Sequence, residues 1–101
     1  MIVVNAIIEA TEETIAALKD AVAEMEEKSR AEEGCYDYTF SVELNNPAVI
    51  RVTEKWENMA ALEKHFTMPH MAVFQQAMGA HPPKSVNASF FEATEVPGPG
   101  Q

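Results

Sequence analysis

The segment between Gly34 and Asn58 most narrows the choice of fold. Cys35–Leu44 alternates, with Tyr36, Tyr38, Phe40, Val42 and Leu44 on one side and Cys35, Asp37, Thr39, Ser41 and Glu43 on the other. A period of two is the mark of a strand with one apolar face, and this face is aromatic. Asn45-Asn46-Pro47 is a turn signal, and Ala48–Trp56 reads as a second strand. The two strands form a hairpin. Whatever lies on either side must then pack against that hairpin.

Upstream, Ile2–Glu9 is short and rich in β-branched residues, which predicts a strand. Its faces are Ile2, Val4, Ala6 and Ile8, against Val3, Asn5 and Ile7. Only Asn5 interrupts the apolar character of the pair, so both faces call for a cover. Asn5 reads either as a locally satisfied polar residue or as a hydrogen-bonding group aimed into a pocket. Thr11 is a good N-cap and Glu12 and Glu13 suit the positive end of a helix dipole. Ile15, Leu18, Val22 and Met25, with Ala21 beside them, make one stripe at helical spacing. Asp20, Glu24, Glu27 and Lys28 lie opposite, as a solvated face. The spacing predicts a helix over 12–31 that ends before Gly34.

Downstream, Asn58 caps a short helix over 59–66 whose apolar side is Met59, Leu62 and Phe66. His65 stands about 80° from the centre of that side, at its margin. Thr67 is placed to cap a second helix, with Pro69 in the first turn, where proline is tolerated. Its apolar arc holds Met71, Val73, Phe74, Ala77 and Met78, and His70 falls near the middle of it. A histidine there must be buried or line a cavity. His81-Pro82-Pro83 stops the helix, Val86–Thr94 reads as a last strand, and the Pro- and Gly-rich residues 97–101 read as a frayed, disordered tail.

The order β-α-β-β-α-β, with the last helical region in two pieces, matches a ferredoxin-like split βαβ unit of the α+β class. It predicts a four-stranded antiparallel sheet with helices on one face, in one domain over residues 1–96. Covering the other face is cheapest with a twofold partner, so a homodimer is expected.

Composition removes several functions. The chain of 101 residues carries a net charge of −9, and its seven Lys and Arg are scattered. Nucleic acid and anionic membrane surfaces are therefore poor partners. One cysteine excludes an internal disulfide and a cysteine-based metal cluster; on a strand, Cys35 reads as structural. With no apolar run long enough to span a bilayer and no leader-like start, a cytoplasmic location is expected.

The sequence shows no Ser-His-Asp order, phosphate loop or dinucleotide fingerprint. His65 and His70 are five apart with a proline between, unlike an i,i+4 metal pair, and a third ligand would have to be a distant carboxylate. No metal or other cofactor is expected. What remains is an apolar cavity with Asn5 and His70 as its polar groups, one from the sheet and one from the helix over it. His70 lies in a first helical turn, where the dipole disfavours imidazolium. It is thus suited to accept a proton or a hydrogen bond.

Ser29 with Glu33-Gly34-Cys35 and Tyr38, then Pro47, Glu54-x-Trp56, Leu62, His65 and Pro69-His70 together make a pattern. In these features the chain resembles the antibiotic biosynthesis monooxygenase domain family, including its small quinol monooxygenases, over essentially its whole length. The resemblance implies a dimeric α+β barrel with a pocket between sheet and helices in each subunit, and places Asn5 toward His70. It implies oxygenation of an electron-rich phenol, anthrone or quinol by molecular oxygen without metal or flavin. His70 would be the base and His65 its alternate, with Asn5 bonding the developing oxyanion. Tyr38, Phe40, Trp56, Met71 and Phe74 would wall the substrate, although Tyr38 and Trp56 fit a core as well. One branch of the superfamily degrades haem through an asparagine on its first strand and a tryptophan and a histidine on its helices. Asn5 matches the asparagine, but His65 and Gln75 occupy the other two positions, which argues against haem. An isomerase on the same fold and a non-catalytic module that binds a hydrophobic metabolite are the alternatives.

Overall fold

In the computed structural model, which describes residues 1–100, the elements run β1 (Ile2–Glu9), α1 (Glu12–Arg30), β2 (Cys35–Glu43), β3 (Asn46–Trp56), α2 (Met59–His65), α3 (Pro69–Ala80) and β4 (Ser85–Glu92). The four strands form one sheet in the order β2-β3-β1-β4, and every pair is antiparallel. The helices lie on one face. This is the ferredoxin-like α+β arrangement that the hairpin between two helical regions demands.

The caps explain where the helices start. Thr11 accepts a hydrogen bond from the Thr14 N–H and opens α1, while Asn58 accepts from the Ala61 N–H and opens α2. α3 departs from expectation. Its N-cap is Met68, which offers no side-chain bond, and the Thr67 hydroxyl instead donates back to the Lys64 carbonyl at 2.7 Å. Pro69 at N1 needs no donor and presets φ, so this helix starts without a polar cap.

Two clusters form the core between sheet and helices. Ile2, Val4, Met25, Tyr38, Trp56, Leu62 and Met71 make one, and Ala6, Ile8, Ile50 and Val52 the other. Leu18 and Met25 of the predicted α1 stripe are buried, and Ile15 and Val22 half-buried. Across the sheet, Val4 stands opposite Glu54 on one side and Phe90 on the other, and Tyr38 opposite Glu54. That row of side chains faces the helices. β4 lies at the sheet edge, exposed along nearly its whole length. Among the described residues nothing covers the other face of the sheet, with Val3 and Ile7 half-buried and Asn5 and Phe91 exposed.

A bulge corrects one expected face. Cys35 pairs with Trp56 and Tyr38 with Glu54, so β2 takes three steps where β3 takes two. The extra residue shifts parity. Cys35 turns to the core beside Trp56, and Tyr36, expected on the aromatic face, is 62% exposed. Leu44, also expected on that face, lies past the end of β2 in the hairpin turn, with its side chain in solvent.

Candidate functional site: two histidines on one buried carboxylate

The site begins with the turn after α1. The Glu32 N–H donates to the Ser29 carbonyl and the Cys35 N–H to the Glu32 carbonyl, which folds the chain tightly into β2. Gly34 in that turn has φ +83°, and a Cβ there would stand 2.8 Å from the Ala61 Cβ. Only glycine suits both the left-handed backbone and the close approach. The Glu57 N–H donates to the Gly34 carbonyl at 2.8 Å, tying the turn to the segment that starts α2. Glu32 is thereby driven inward, and its side chain is only 6% exposed.

Two histidines meet it there. His65, the last residue of α2, has Nδ1 2.6 Å from Glu32 Oε2. His70, the second residue of α3, has Nε2 2.8 Å from the same oxygen. An ionised carboxylate only accepts, which favours a proton on each ring nitrogen that faces Glu32. With the His65 proton on Nδ1, its Nε2 is left buried with no hydrogen-bond partner among the described residues. Burial pushes the His65 pKa below its ordinary value. The bond to Glu32 and its charge pull the other way, and His70 adds to the lowering.

Aromatic rings surround this centre. The His65 ring lies 4.8 Å from Trp56, 5.2 Å from Tyr38 and 5.7 Å from Phe66, with the His70 ring at 5.9 Å. Trp56 is fully buried, and its indole N–H donates to Glu54 Oε1 at 2.9 Å. Burial raises the Glu54 carboxyl pKa, the Trp56 bond lowers it, and the Glu32 charge adds a further rise. The Tyr38 phenol is raised strongly, first by burial and then by Glu54 and Glu32. The Ser29 hydroxyl interacts with that phenol, but no hydrogen bond of ordinary geometry reaches Ser29 Oγ. Burial, then Glu32, pushes the Cys35 thiol up to about 11, which keeps it protonated and unreactive at neutral pH. A shallow depression of about 280 Å³, bounded by Lys28, Ala31, Glu32, Met68 and His70, opens the cluster to the surface.

Most of the residues singled out from the sequence converge here. His65, His70, Trp56, Tyr38 and Met71 belong to this region, whereas Phe40 and Phe74 pack on each other at 5.5 Å, next along the aromatic row from Tyr38. His65 is 1% exposed, not marginal, because Glu32 and Trp56 close over the side of α2 that Leu62 and Phe66 leave open. The pair of histidines does not share a helix face, yet the bend at Pro69 brings both onto one oxygen.

Asn5 is the clear correction. The face bearing Ile2, Val4, Ala6 and Ile8 packs under the helices, so Asn5 points away from them. It lines a hollow of about 250 Å³ on the bare face with Arg51, Asn87 and Phe91. The sheet separates it from His70. Glu32 is the residue that the sequence did not reveal. It neighbours the Glu33-Gly34-Cys35 pattern, but in a run of surface-like charges nothing distinguishes it until the turn is built.

Glu32, His65 and His70 also offer three ligand atoms within 4.8 Å of one another, a donor set suited to a divalent cation. The separations of 2.6 and 2.8 Å are those of hydrogen bonds. Around a cation with bonds of about 2.0–2.2 Å, neighbouring ligand atoms stand roughly 3 Å or more apart. Binding an ion would require the carboxylate to withdraw and both nitrogens to lose their protons.

The sequence profile of the family described as antibiotic biosynthesis monooxygenase matches residues 1–77, the span that contains every residue of this cluster. The chain belongs to that family. Solved structures agree on the fold. A Deinococcus radiodurans protein named for the family is 24% identical, covers 97% of each chain and superposes with a TM-score of 0.88. A Caulobacter crescentus protein of the same family name is 22% identical over 93% of this chain and 90% of its own, with a TM-score of 0.85. A Pseudomonas aeruginosa protein is 24% identical over 93% and 94%, with a TM-score of 0.82. No curated protein matches the chain. No helix among the described residues is long and apolar enough to cross a membrane.

Proposed function

We propose that this antibiotic biosynthesis monooxygenase family member oxygenates a small electron-rich aromatic, a quinol or an anthrone, with molecular oxygen and no bound cofactor. The observation that carries the reading is the buried Glu32–His65–His70 cluster inside a wall of aromatic rings. Such substrates, once deprotonated, can themselves pass an electron to oxygen. The protein need only hold the flat ring, take its proton and exclude water. One histidine takes the proton. For an anthrone, the methylene carbon gains one oxygen atom as a carbonyl, and its two hydrogens leave with the other oxygen as water. Asn5, across the sheet, has no part in this site.

The same reading includes a homodimer. Val3, Ile7 and Phe91 are apolar residues on a sheet face that the described residues leave open. Sedimentation at micromolar concentration checks this, and a stable monomer would remove the barrel from the proposal.

The test of activity is oxygen consumption by metal-stripped protein against hydroquinones, anthrones and catechols, with products weighed by mass spectrometry. A product carrying one added oxygen supports the enzyme, and uptake only after adding iron or haem refutes cofactor independence. A second reading rests on the apolar groove of about 260 Å³ between α1 and β2, lined by Ile15, Val22, Phe40 and Val42. It suits a module that binds a hydrophobic metabolite unchanged. Stoichiometric binding of aromatics without product would favour it.

A further inference from the structure

The unpartnered nitrogen of His65 is the feature that the cluster's own hydrogen bonds do not explain. Glu32 Oε2 lies 2.6 Å from Nδ1, which favours the proton there, and the imidazole ring turns Nε2 away from the carboxylate. That nitrogen is buried, and nothing among the described residues donates to it. Leaving a buried acceptor unpaired costs about 1–3 kcal/mol. Buried polar atoms are otherwise nearly always paired, so an exception asks for a reason. His70 differs, since it borders the surface depression and neither of its ring nitrogens is both buried and unpaired.

We propose that Glu32 is a positioning residue that holds His65 as its Nδ1–H tautomer, so that the bare Nε2 receives a neutral hydroxyl-bearing aromatic ligand. His65, and not His70, is then the group that takes the substrate's proton. This rests on the functional reading above and names the base and the substrate class within it.

Three observations set the ligand's chemistry. A lone pair recognises a donor, so the ligand presents an O–H. Trp56, Tyr38 and Phe66 surround the imidazole with ring faces and edges, which suits a flat ring. The titratable groups around His65 are Glu32 from the α1–β2 turn, His70 from α3, Tyr38 and Cys35 from β2, and Glu54 of β3 behind Trp56. Two of these are carboxyl groups, in a chain of net charge −9. An anionic ligand would be repelled, and a neutral phenol would not. Phe66 is half-exposed while Trp56 and Tyr38 are buried, so a ligand would reach His65 Nε2 only by moving Phe66 aside. Once Nε2 takes the proton, Glu32 stabilises the imidazolium through Nδ1–H, as a buried carboxylate does in other base–orienter pairs.

The test is two-bond ¹H–¹⁵N spectroscopy of histidine-labelled protein under nitrogen. In the wild type His65 should show a protonated Nδ1 and a bare Nε2 at neutral pH. Unlabelled hydroquinone should move the His65 Nε2 resonance, and hydroquinone sulfonate should bind at least tenfold more weakly. In Glu32→Gln the Nε2–H tautomer should become populated. An Nε2–H tautomer in the wild type overturns the proposal, as does a response confined to His70 or equal binding of the sulfonate. So does a cobalt(II) absorption spectrum that depends on Glu32, because the nitrogens would then serve a cation. None of these readouts needs oxygen uptake, so failure of the oxygenase reading shows separately. If turnover is found, Glu32→Gln should lower kcat about 100-fold or more. It should also move the acid limb of kcat/KM to lower pH, because the imidazolium loses its carboxylate. A purely structural role would lower activity and leave that limb in place.

Discussion

Gly34→Ala is the sharpest perturbation of the architecture that places Glu32. The substitution forces a side chain onto a backbone with φ +83° and sets its Cβ 2.8 Å from the Ala61 Cβ. The first effect costs about 1–2 kcal/mol, the usual penalty for an L-residue in the left-handed region. For the second, carbon atoms pack comfortably at about 3.5–4.0 Å, so α2 and the turn must separate by roughly 1 Å. Overpacking of that kind costs about 1–3 kcal/mol, which makes the sum about 2–5 kcal/mol. In a domain of this size each kcal/mol lowers Tm by roughly 4–8 °C, so a fall of about 10 °C or more is expected in calorimetry. Ala61→Gly removes the contact but not the backbone strain. In a double-mutant cycle it should return about 1–3 kcal/mol to Gly34→Ala beyond its own helix cost. Because the same turn aims Glu32, the single variant should also disturb the His65 tautomer. A Gly34→Ala protein within about 0.5 kcal/mol of wild type would refute the reasoning, since harmless substitutions fall in that range. No coupling to Ala61 would refute the steric half of it.

Trp56→Ala should cost about 3–5 kcal/mol by opening a cavity in the core. Trp56→Phe keeps most of the volume but leaves Glu54 without its donor and should cost about 1–3 kcal/mol; denaturant titration separates the two. His65 is held below its ordinary pKa of 6.5, so the unfolded chain takes up that proton first as pH falls. Its contribution to stability should therefore decline as pH drops through about 6.5, by up to about 1.4 kcal/mol per pH unit, and His65→Gln should flatten the profile of Tm against pH. With its pKa pushed up to about 11, Cys35 should react with iodoacetamide at pH 8 more slowly than free cysteine by about a hundredfold; an equal rate would contradict its burial.

Much of the fold was legible because it depends on local chemistry. The caps Thr11 and Asn58, the alternation of β3 and the break at His81-Pro82-Pro83 are statements about neighbours in the chain. Parity separated Asn5 from the all-aliphatic face of β1, yet the residue pattern and the family resemblance both aimed it at His70, and the structure puts it on the opposite face, because nothing local says which face of β1 the helices cover. The bulge at Cys35–Asp37 was not legible, since an extra residue in a strand leaves the composition unchanged and shifts every earlier side chain to the opposite face. Thr67 looked like a cap, yet its hydroxyl found a nearer acceptor in Lys64.

By itself the sequence determined the class of fold, the elements and the membership of the histidines and the tryptophan in one region. It did so because hydrophobic periodicity, capping and turn residues act over a few positions. Only the tertiary structure decided that Glu32 is the group on which the histidines meet. It joins residues 33 and 38 positions apart, through a glycine turn whose need for glycine comes from a helix packed against it. A charged residue gains its meaning here from what buries it, and burial is a property of the whole chain.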